Sequence, residues 1–91
     1  MSRSRRRTIE QAVESVRGYH RIFPEQAERS MKFHEDQAAR ALVISQSWAS
    51  IRETAPNRGE KWSATYHARK WLREAHEYEA IAVMLKTEFV R

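Results

Sequence analysis

The chain has 91 residues, no cysteine, two glycines and a formal net charge of +5. That length holds one domain and not two, the missing thiol excludes a disulfide framework and thiolate chemistry, and so few glycines exclude a glycine-rich phosphate loop. The charge is uneven: of 17 basic residues, Arg3, Arg5, Arg6 and Arg7 stand within the first seven positions, and the remainder carries 13 against 12 acidic residues.

The body is therefore near neutral and bears a basic tail, so a pI near 10.1 overstates the case for nucleic acid. Residues 1–7 are rich in Ser and Arg without apolar anchors, which predicts a segment disordered until bound. No apolar stretch follows the arginines, as a signal peptide requires, and the longest apolar run, Ala80 to Leu85, is far short of the ~18 residues of a membrane span. A cytoplasmic protein is expected. Arginine outnumbers lysine 13 to 4, and with the many alanines this points to a GC-rich bacterial genome or a phage of such a host.

Thr8 followed by Gln11 is a capping-box pattern, and it predicts a first helix over Ile9–Ile22. Its apolar face is Ile9, Ala12, Val13, Val16 and Phe23. Gly18 is either a close-packing point or a weak place in that helix. Pro24 disfavours helical geometry at Phe23 and suits the first position of a second helix, with Glu25 and Glu28 at its positive end. The second helix should reach Thr54 or Ala55. Pro56-Asn57-Arg58-Gly59 reads as a four-residue turn joining antiparallel neighbours, and the third helix runs from about Glu60 to the C-terminus.

Two stripes at alternating spacings of three and four mark the faces along which the long helices meet. One is Ala27, Met31, His34, Ala38, Ala41, Ser45 and Trp48. The other is Ala68, Trp71, Ala75, Tyr78, Ala82, Leu85 and Phe89. Folded about Arg58, the stripes form seven facing pairs, and five put a small residue opposite a large one, as interdigitated cores need. The expected fold is all-α with three helices. The second and third form a long antiparallel hairpin, and the shorter first helix packs at its open end, where Ile81, Val83, Met84 and Val90 make the third helix apolar on several sides. Residues 8–91 make up this single domain.

That plan leaves the turn end uncovered, with Val43 and the trio Trp62, Tyr66 and Leu72 outside the seam beside Ile44 and Ile51. Ile44, Ile51, Trp62, Tyr66 and Leu72 are the expected protein-interface residues, since a strip of this kind on a small monomer marks a contact. Arg3, Arg5, Arg6 and Arg7 are expected to meet phosphates or an acidic partner surface. The four histidines lack the Glu-x-x-His spacing of bundle metal sites, so no metal or cofactor is expected. His34 falls on the seam and reads as a packed histidine bonded to Tyr78 or a backbone group. No nucleophile, base and carboxylate stand in a recognisable arrangement, so no enzyme is expected. The expected function is a non-enzymatic protein-binding module, an inhibitor, adaptor or assembly factor, phage-encoded and directed at a bacterial host protein, with a homodimer as a further possibility. The alternative is a nucleic-acid accessory protein that uses the arginine tail.

Overall fold

The structure, a computed structural model, describes residues 7–91, so Arg3, Arg5 and Arg6 lie outside the described residues. Three helices follow one another: α1 (Ile9–Ile22), α2 (Ala27–Thr54) and α3 (Arg58–Glu88), with a single 3-10 turn at Pro24–Gln26. The described residues contain no strand. α2 and α3 form the long antiparallel hairpin, and α1 packs on α3 to a lesser degree.

Local chemistry sets the helix ends. Thr8 accepts from the Gln11 amide at 3.0 Å while the Gln11 side chain accepts from the Thr8 amide at 2.9 Å, so two otherwise unpaired donors are satisfied reciprocally. Pro24 stops α1, and its missing N–H costs nothing at the start of the 3-10 turn. At the hairpin tip the Asn57 side chain accepts from the Glu60 amide at 2.9 Å. Asn57 is thus an N-cap, and Arg58 and Gly59, expected in the turn, are the first residues of α3.

This shortens the connection to residues 55–57 and shifts the register. Ser45 donates to the Ala68 carbonyl at 2.8 Å, His34 lies 5.9 Å from the Tyr78 ring, and Trp48 stacks on His67 at 4.5 Å. These couples centre between residues 56 and 57.5, short of Arg58, because the shortened link moves the fold point towards the N-terminus. All fourteen seam residues are nevertheless buried or half-buried.

The core is concentrated at the open end. Ala12 from α1, Ala27 and Met31 from α2, and Ile81, Ala82, Met84 and Leu85 from α3 form one buried cluster, flanked by Val13, Val16, Phe89 and Val90. Leu85 is the one large side chain that is fully buried. Towards the tip the buried residues of the seam are small, Ala41, Ser45, Ala64 and Ala75, with Trp48 and Trp71 half-buried beside them. This segment of α3 is apolar on more than one side, as its sequence suggests. α1 covers one side of α3, and Val83 lies on another, exposed beside Ala82 and Lys86. The Cα atoms span 50 × 37 × 14 Å, the thickness of little more than one layer of helices, and both faces of that layer meet solvent.

Candidate functional site

Two ion pairs fasten α1 along α3. Arg7 reaches Glu77 at 3.5 Å. Arg17 grips Glu88 with two bonds, Nε to Oε1 at 2.9 Å and a terminal nitrogen to Oε2 at 3.0 Å, and also meets Glu14. The bond from Arg17 holds the Glu88 carboxyl below its ordinary value, and the same bond, with help from Glu14, raises the guanidinium. Residue 7 thus sits by 77 and residue 17 by 88, so α1 runs parallel to α3 over its far half.

A cleft separates α1 from α2, lined by Val16, Tyr19, His20, Phe33 and His34 among others. The His20 Nδ1 lies 3.0 Å from the Val16 carbonyl and the His34 Nδ1 2.7 Å from the Ser30 carbonyl. A carbonyl only accepts, so in each ring Nδ1 donates to the carbonyl one turn earlier in its helix. The backbone bond at His34 is the one expected from its place on the seam. His20 is buried with its Nε2 unpartnered, and sequence reading missed it. The signal was its phase, one turn beyond Val16 on the apolar stripe of α1. The cleft lining contains no carboxylate, and among the described residues no three His, Asp or Glu side chains converge as metal ligands.

The opposite side of the hairpin carries an open apolar trough of about 420 Å³. Ala38, Ala39 and Leu42 of α2 face Ala75, Ala82 and Val83 of α3, with Glu35, His76, Glu79 and Lys86 around them. Four alanines in its lining leave room for a backbone to approach closely.

The five expected interface residues fall on more than one side. Ile44 is half-buried, while Ile51, seven residues on and at the same helical phase, is 49% exposed. Trp62 and Tyr66 are 69% and 53% exposed. Their rings are nearly parallel, with centroids 5.9 Å apart. Leu72 is 38% exposed. It lies about 120° around α3 from Tyr66 and about 80° from Trp62. Of the four tail arginines, Arg7 is described, and it is held by Glu77.

Comparison with protein-family models, curated proteins and solved structures found no match. No described helix is long and apolar enough to cross a membrane.

Proposed function

We propose that this chain is a non-enzymatic binding module that acts by stoichiometric association with a protein, through the side of the hairpin opposite α1. The observation that carries the reading is the alanine-floored trough lined by exposed Leu42 and Val83. Small residues let a helix approach closely, and the surrounding apolar side chains lose water when it arrives. The occupant we favour is a second copy of the chain. Two hairpins laid face to face bury both troughs and complete a four-helix bundle, which a single helical layer lacks. A bacterial protein presenting an amphipathic helix is the other occupant, and the composition fits a cytoplasmic module of a bacterium or its phage. Neither occupant needs a cofactor.

Sedimentation velocity over a range of concentrations tests this. The unaltered chain should self-associate, and Leu42→Lys with Val83→Glu should leave a folded monomer, since both side chains are exposed. A monomer at all concentrations whose trough variant retains every protein partner captured from lysate would overturn the reading. A second reading, a nucleic-acid accessory protein, has one specific observation behind it: arginines flank the Trp62–Tyr66 pair on α3.

A further inference from the structure

Arg58, Trp62, Tyr66, Arg69 and Arg73 follow one another on α3 at spacings of four, four, three and four residues. At ~100° per residue they fall within a sector of about 80°, in a line roughly 22 Å long. All five are exposed. Among the described residues none of the three arginines has a carboxylate within ion-pair distance. The acidic group nearest along this line is Glu77, one turn past Arg73, and it is already engaged by Arg7.

From these positions we infer that the outer face of α3 is a binding site for single-stranded nucleic acid. Trp62 and Tyr66 offer nearly parallel rings on which unpaired bases stack, and the arginines on either side take the phosphates. A duplex has its base faces occupied by neighbouring pairs and gains nothing from the rings. A protein hot spot of Trp and Tyr is ringed by residues that exclude water, whereas this pair is ringed by solvated guanidinium groups. The inference stands apart from the trough, which lies on another side of the hairpin.

Fluorescence anisotropy with an oligothymidylate of about 16 nucleotides, beside a duplex of equal length, tests it. The single strand should bind more tightly than the duplex. Trp62→Ala or Tyr66→Ala should weaken it about 5- to 100-fold, with helicity unchanged because both rings are exposed. Arg69→Ala with Arg73→Ala should make the dependence of log affinity on log salt shallower by about 1.4. Trp62→Phe keeps a stacking ring, so it should retain binding while abolishing the change in indole emission on titration, Trp48 and Trp71 being held in the seam. Equal affinity for duplex and single strand, with Trp62→Ala silent, would overturn the site. Absence of binding at low salt would overturn it outright. So would capture of a protein, and not the oligonucleotide, that depends on Trp62.

Discussion

Replacing Leu85 by alanine tests whether the open end holds this molecule together. Leu85 is the point at which all three helices meet: its cluster takes Ala12 from α1 and Ala27 and Met31 from α2. Leu85→Ala removes three carbons, about 2.4 kcal/mol of transfer energy at ~0.8 per methylene. Neighbours drawn from three separate helices cannot all collapse into the space, so a cavity contribution brings the expected loss to about 3–4 kcal/mol. A chain of this size has a total stability of roughly 5–14 kcal/mol. The variant should therefore melt ~12–25 °C lower. Urea unfolding followed by circular dichroism, at one protein concentration throughout, measures the difference. Ile22→Ala is the control: its side chain is 71% exposed, and its truncation should cost less than about 1 kcal/mol. If Leu85→Ala costs no more than Ile22→Ala, the buried cluster is not what stabilises the fold, and the reasoning fails.

Other expectations follow from single contacts. A methyl group added at Gly18 would meet no atom within 4 Å, and its backbone is helical, so Gly18→Ala should raise stability by about 0.5–1 kcal/mol, read from the same urea curves. Asn57→Ala removes the cap on α3 and should cost about 1 kcal/mol; an unchanged melting temperature would show that the tip needs no cap. Glu88 has a folded-state pKa held down by Arg17. Its contribution is therefore present above the unfolded carboxylate pKa and is lost as the pH falls through the lower, folded value. The stability gap between the unaltered chain and Glu88→Gln should accordingly be open at neutral pH, close in acid, and shrink with added salt. A gap constant with pH would assign the effect to something other than this ion pair.

Much of the architecture was legible because its signals are local and strong. Thr8, Gln11 and Pro24 bound α1 at Ile9–Ile22 as read, and every seam position chosen from spacing is at least half-buried. The register was less legible, because it turns on whether Asn57 caps a helix or sits inside a turn. Breaker residues look alike in both settings until one side chain is seen to accept from the amide three residues on. Which side of α3 takes α1 was not legible, because a run such as Ile81 to Leu85 is apolar on every side. Periodicity within it cannot say which side another helix will cover. The arginine line on α3 escaped for a different reason. Counting charges over the whole body cancels Arg58, Arg69 and Arg73 against acids on other faces, although their phase with Trp62 and Tyr66 was present in the sequence throughout.

The parallel seating of α1 on the far half of α3 has a consequence for synthesis. α1 emerges first, but the residues that receive it, from Glu77 to Val90, are added some seventy positions later. Domains ordinarily begin to fold from the end made first. Here Ala12, Val13 and Val16 have no surface to meet until α3 is nearly complete, and closing so long a stretch of chain comes late. A nascent chain thus carries α1 undocked until some seventy further residues have been made, and the three-helix cluster cannot close before α3 is in place.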